Sequence, residues 1–163
     1  GVLFQDVRSQ LFGSTVVEDV ALSLAGRSDQ ERSDADSAAY EALERVGITP
    51  LASRHPDELS GGEQRLVALA GAIASRPDVL MLDEPLAELD YRALIRVLDV
   101  IRHERSRGAT VLVTSHETRD LLALSDAVVI LNGGRAVFTG PRDQALGHVN
   151  ATNGLRPIRA GES

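Results

Sequence analysis

The sequence contains no lysine; all 17 of its basic residues are arginine. A phosphate loop of the form G-x-x-x-x-G-K-[ST], whose lysine reaches the β- and γ-phosphates, is therefore excluded. Cysteine is also absent, so no disulfide or thiolate metal site can form and the redox compartment is undetermined. No apolar run approaches the roughly 18 residues that a membrane span needs, so any membrane role must pass through a partner chain. Positive charge is in deficit: the formal net charge is -7 and the pI about 5.0. That disfavours a nucleic-acid surface, which needs clustered positive charge. What remains is ordinary for a globular chain, with 43% apolar and 25% charged residues in 163. That length favours one domain burying roughly 70% of its unfolded surface.

The two halves of the chain are patterned differently. Residues 2–4 are an apolar strand candidate. "STVVEDVALSLAG" reads as a helix, with Thr15 and Glu18 at capping-box spacing. "RSDQERSDADS" reads as a polar mobile loop, followed by a helix over 37–46 that Gly47 stops. After a connector with two prolines, a third helix starts at Gly61 or Gly62 and runs to Ser75. The second half has short apolar runs at 79–82, 110–114 and 127–131, which fit central strands of a sheet covered on both faces. A helix over 91–107 separates the first two, and Asn132-Gly133-Gly134 turns the chain into "RAVFTG". The expectation is an α/β fold: a mainly parallel sheet core over 76–147 and an inserted helical subdomain over 14–75. Residues 148–163 read as a flexible tail.

"VLMLDEP" ends an apolar strand in Asp83 and Glu84. Ligands of open α/β sheets sit beyond the carboxyl ends of strands, and successive side chains there point differently. One acid can hold Mg²⁺ while the other faces an attacking water. By itself, "DE" is more often a strand that simply ends in solvent. In "LSGGEQ", Ser60 suits an N-cap, and glycines let an anion approach the helix amides. By itself, that is equally an ordinary capped helix. His116 follows "TVLVTS" and can donate to a phosphate oxygen or water. Gln5 can orient a water or complete a metal shell. His55, His103 and His148 have no comparable placement.

Together, "LSGGEQRLVALAGAIASRPDVLMLDEPLAELD" and the later "VTSHE" resemble the ATP-binding-cassette (ABC) ATPases over residues 1–146. The resemblance implies the P-loop NTPase fold in its ABC form, here incomplete, with ATP and Mg²⁺ as ligands. It implies a glutamine loop at Gln5 and a signature of Leu59, Ser60, Gly61, Gly62, Glu63 and Gln64. It also implies a magnesium carboxylate at Asp83, a base at Glu84, a D-loop ending at Asp90 and a switch histidine at His116. Gln5 would share the magnesium with Asp83. "VLFQDVRSQLFGSTVVEDVA" and "ALAGAIA" are similar to the cobalt-type or energy-coupling-factor branch, which takes up metal ions and vitamins.

Two departures stand out. The phosphate loop, which the family places before the glutamine loop, is missing, so the chain corresponds to the later part of the domain. Leu86 and Glu88 replace small residues usual in the D-loop. In the family the signature caps ATP held by the opposite subunit, so its lysine belongs to another chain. The implied partners are a second ABC ATPase subunit, head to tail, and a membrane subunit docking near Gln5 and residues 7–15. Nucleic acid and direct membrane insertion are not expected. The implied location is cytoplasmic, at the inner face of the cell membrane through that partner. The chain alone is expected to bind ATP weakly, hydrolyse none, and be marginally stable or associate. Two other readings remain. One is a chromosome or repair ATPase of this family, disfavoured by the absence of a coiled-coil insertion between Gln5 and Leu59. The other is a degenerate, non-catalytic fragment that lends only its signature surface.

Overall fold

A computed structural model describes residues 1–24, 29–116 and 119–149. Two units divide it, residues 1–114 and 115–163.

The first unit holds a three-stranded sheet in the order β1 (Val2–Leu3), β2 (Val79–Asp83), β3 (Thr110–Thr114). All pairings are parallel, with Leu3 opposite Leu82 and Asp83 opposite Thr114. Parallel neighbours require long crossovers. That from β1 to β2 contains α1 (Val16–Leu22), α2 (Asp29–Arg45) and α3 (Gly61–Ala74), which pack on one another. That from β2 to β3 is α4 (Tyr91–Ser106). The helical insertion and parallel core are as the sequence pattern indicates.

Local chemistry sets the helix ends. The side chains of Thr15, Ser60 and Asp90 cap α1, α3 and α4, accepting from the amides of Glu18, Glu63 and Ala93. Gly47 and Gly108 terminate α2 and α4 with φ of 70° and 93°, values that favour glycine. α2 begins at Asp29, well before the expected start at Ser37, so most of the polar stretch read as a loop is helical. That stretch has no glycine or proline to stop a helix. Residues 27 and 28 of the expected loop, and residues 25 and 26 of the expected helix before it, lie outside the described residues.

The core lies between the sheet and α3 and α4. Leu3, Leu80 and Leu82 on the strands are buried with Leu69, Ile73, Val97 and Ile101 on the helices. The opposite sheet face differs from expectation. Val79, Met81 and Leu112 are 50%, 43% and 55% exposed, so the runs are covered on one face only among the described residues. Strand side chains alternate, and a continuous apolar run does not say which face is covered.

The second unit contains α5 (Arg119–Leu122), β4 (Ala127–Asn132), β5 (Arg135–Pro141) and α6 (Arg142–Val149). β4 pairs antiparallel with β5, in a sheet separate from β1–β3. This corrects the reading of residues 127–131 as a strand of the parallel core; apolarity marks burial, not the pairing partner. Gly133 and Gly134 have φ of 55° and 74°, as a tight two-residue hairpin turn requires. Leu122 and Ile130 form a small core with Val128 and Phe138. α6 runs through His148 and Val149; the rest of the expected tail lies outside the described residues.

Candidate functional site

Asp83 is the last residue of β2, and its Oδ1 accepts a hydrogen bond from the Thr114 hydroxyl at the end of β3. Glu84 follows with φ +49°, a left-handed conformation unusual for a glutamate. Such backbone strain persists only where the surroundings hold it. Three main-chain contacts do so. The Glu84 amide donates to Thr114 O at 3.0 Å, and its carbonyl accepts from the Ala87 amide at 3.2 Å. The carbonyl also accepts from Arg65 Nη1 at 2.9 Å.

The second terminal nitrogen of Arg65 donates to the Gln5 carbonyl at 3.3 Å. One guanidinium thus brings together the chain after β1 and the chain after β2, from the first turns of α3. Arg65 is only 6% exposed. Sequence reasoning missed it, because its partners lie 60 and 19 residues away. The available signal was a cation on the helix face that otherwise carries Leu66, Leu69 and Ile73 into the core.

The start of α3 is a full capping box. Ser60 Oγ accepts from the Glu63 amide at 3.3 Å, and the Ser60 amide donates to Glu63 Oε2 at 2.8 Å. The Ser60 hydroxyl also donates to that oxygen at 2.8 Å. The Gly61 and Gly62 amides have no acceptor among the described residues, as helix geometry leaves them. Added β-carbons there would meet nothing nearer than 3.9 Å and 3.6 Å, both ordinary contacts. Internal crowding therefore does not demand these glycines. Their neighbours are Glu88 and Leu89, and Glu88 is left-handed at φ +61°. Leu59 is buried, and Gln64 Nε2 donates to Pro56 O at 3.0 Å, fixing the approach to the helix. Asp90 caps α4, with Oδ1 2.7 Å from the Ala93 amide.

The geometry therefore joins Gln5, Asp83 and Glu84 at one sheet edge and sets Gly61 and Gly62 beside Glu88 and Leu89. His116 lies two residues beyond β3, exposed, in the second unit. Among the described residues, no group of three or more His, Cys, Asp or Glu could hold a metal ion.

The hydrogen bonds from the Ser60 amide and hydroxyl hold the Glu63 carboxyl below the usual carboxylate range; burial opposes this and Arg54 assists it. A lowered folded pKa contributes stability present above the unfolded value of about 4.3 and lost as pH falls through the folded value. Acidification through that window is expected to loosen the start of α3. Protection of the Ser60 amide against hydrogen exchange, taken relative to its intrinsic rate at each pH, should fall there, and Glu63→Gln should remove that fall, since glutamine also completes the box. Identical pH profiles in parent and variant would refute the coupling.

The family description "ABC transporter" matches residues 1–87. The energy-coupling factor transporter ATP-binding protein EcfA2 of Caldanaerobacter subterraneus is 40% identical over 149 residues, covering 88% of this chain and 51% of that protein. The cobalt import ATP-binding protein CbiO of Rhodobacter capsulatus is 37% identical, covering 96% and 56%. The solved structure of cbiO1 from Clostridium perfringens, described as part of the ABC transporter complex cbiONQ, superposes with a TM-score of 0.76. It is 28% identical, covering 90% of this chain and 59% of that one. The chain thus spans about half the length of the curated relatives it matches. With over half of its residues inside the family match, the chain belongs to the ABC transporter family.

Proposed function

We propose that this chain supplies the signature and catalytic-carboxylate part of an ATP-hydrolysing subunit that drives transport across a membrane. The observation that carries the reading is the arrangement at Arg65, which ties Gln5 and Glu84 to the helix that opens with Ser60, Gly61 and Gly62. In this reading the Glu84 carboxylate accepts the proton of the water that attacks the γ-phosphorus, as the bond to the bridging oxygen breaks. His116 donates to the γ-phosphate. Asp83 and the Gln5 amide oxygen would hold Mg²⁺. One carboxylate and one amide fit that ion, which keeps several waters and takes phosphate oxygens rather than a full protein cage. Bound there, the ion neutralises developing charge on the phosphates.

The Gly61 and Gly62 amides would receive the γ-phosphate of ATP held by a second subunit, head to tail. The glycines leave room for it, and the helix dipole favours the anion. Asp90 would hold the D-loop beside them through its cap. The 163 residues contain no lysine, so they hold no phosphate loop of this form and alone are expected not to turn over ATP. The compact units are proposed to work as one cassette domain, with residues 14–75 its helical subdomain. A membrane subunit would dock near Gln5 and Phe12. Phe12 is 79% exposed, and its amide and that of Gly13 donate to Asp19 Oδ1 at 2.6 and 2.8 Å. No described helix is long and apolar enough to cross a membrane, so attachment at the inner face would run through that partner. The cobalt import protein among the relatives above favours uptake of a metal ion; the resemblance to the energy-coupling-factor branch makes a vitamin the alternative.

The test is made in an assembly that supplies a phosphate loop. A photoreactive group at position 60 should label an ATP analogue bound by the other subunit, in mixed dimers where one subunit alone can bind nucleotide. Labelling confined to the nucleotide-binding subunit would reject the shared site.

A further inference from the structure

We propose that the chain carries a second oxyanion site, separate from the sheet edge of Asp83 and Glu84, which binds a phosphate group between Arg45, Arg76 and Arg107. These arginines come from the ends of α2, α3 and α4. With Asp99, Val100 and His103 they line a cavity of about 630 Å³, within the range of small-molecule sites. The cavity is at the start of β2: Arg107 donates to the carbonyl of Pro77, whereas Asp83 ends that strand.

The charges there are unbalanced. Glu104, fully buried, takes Arg45 at 2.5 Å on Oε1 and Arg107 at 2.6 Å on Oε2. One arginine would neutralise it, so the second leaves an excess positive charge. Both side chains remain about a quarter exposed, at 25% and 24%. Their forked donors exceed what the carboxylate and one carbonyl accept. Asp99 is answered by Arg102 at 2.6 Å. Arg76 pairs with Glu41 at 3.0 Å, but those side chains are 70% and 58% exposed, so this surface pair can exchange. Arg76 is also one of three non-glycine residues with positive φ among the described residues, at 51°. Strained backbone of this kind concentrates at ligand clamps. Converging guanidiniums match the oxygens of a phosphate better than a monovalent anion.

The 163-residue chain is titrated with inorganic phosphate and, separately, glycerol 3-phosphate, at ionic strength fixed with sodium chloride and monitored by NMR. Saturable shifts at Arg45, Arg76, His103 and Arg107 are expected. Arg76→Gln should weaken binding by roughly tenfold or more while leaving the unfolding midpoint unchanged, since Arg76 is outside the Glu104 clamp. Tighter binding of the free ion or of the ester identifies which source of phosphate the site takes. No saturation with either ligand, or equal affinity in parent and Arg76→Gln, overturns the proposal.

Discussion

Replacing Glu84 with glutamine is expected to slow ATP turnover by roughly 10²–10⁴-fold, the usual contribution of a positioned base, in an assembly containing a phosphate loop. Nucleotide binding should survive. The contacts that hold residue 84 in its left-handed conformation are made by its own main chain, to Thr114, Ala87 and Arg65. Glutamine keeps all three and nearly the same volume. It also removes one negative charge near the phosphates, which favours the anion. The proton acceptor alone is lost, so the ATP-loaded, closed pair of subunits should accumulate. Single-turnover kinetics beside equilibrium nucleotide binding separate the two effects. A variant that binds ATP as the parent does and hydrolyses within about threefold of it would remove Glu84 from the base role. A variant that loses binding as well would show that the carboxylate organises the site.

Glu104→Ala is expected to destabilise the first unit by about 3–5 kcal/mol, the cost of removing one partner from a buried ion pair. Two guanidiniums then lose their shared acceptor, and a cavity opens under α4. Against a total stability of about 5–15 kcal/mol, the variant should be largely unfolded at moderate denaturant where the parent is folded. Glu104→Gln preserves the volume and part of the hydrogen bonding, and should fall between. Adding Arg45→Met to Glu104→Leu should recover part of the loss, because one of the two guanidiniums then no longer needs the carboxylate, Arg107 keeping its bond to the Pro77 carbonyl. Denaturant unfolding followed by circular dichroism measures all four proteins. A loss below about 1 kcal/mol for Glu104→Ala would mean that water satisfies both arginines as well as the carboxylate does.

These two glutamates mark what was legible in the sequence. Glu84 could be read because its significance is local: an apolar strand, two acids and a proline in succession. The helix caps at Thr15 and Ser60 and the stop at Gly47 are also local, and the structure follows them. Glu104 could not be read. Within "RHERSRG" it looks like one more charge on a solvated face, and Arg45, its partner, is 59 residues away. Arg65 was hidden for the same reason. The early start of α2 was lost because acids and serines suit both a loop and the first turns of a helix. The run at 127–131 was correctly a strand but was given the wrong sheet, since hydrogen-bonding partners leave no mark on apolarity.

Val2 lies opposite Met81, so β1 reaches β2 across 79 positions of chain. Closing a loop of that size costs roughly 4 kcal/mol by the (3/2)RT ln n relation, before other contacts offset it. The pairing of β2 with β3, where Val79 lies opposite Thr110, closes a much shorter loop. The β1 pairing should therefore form late as the chain folds, after the three helices between the two strands have packed. Gln5 lies two residues beyond β1, whereas Glu84 follows the central strand. The glutamine side of the proposed site should then be completed last, when the Gln5 carbonyl reaches Arg65.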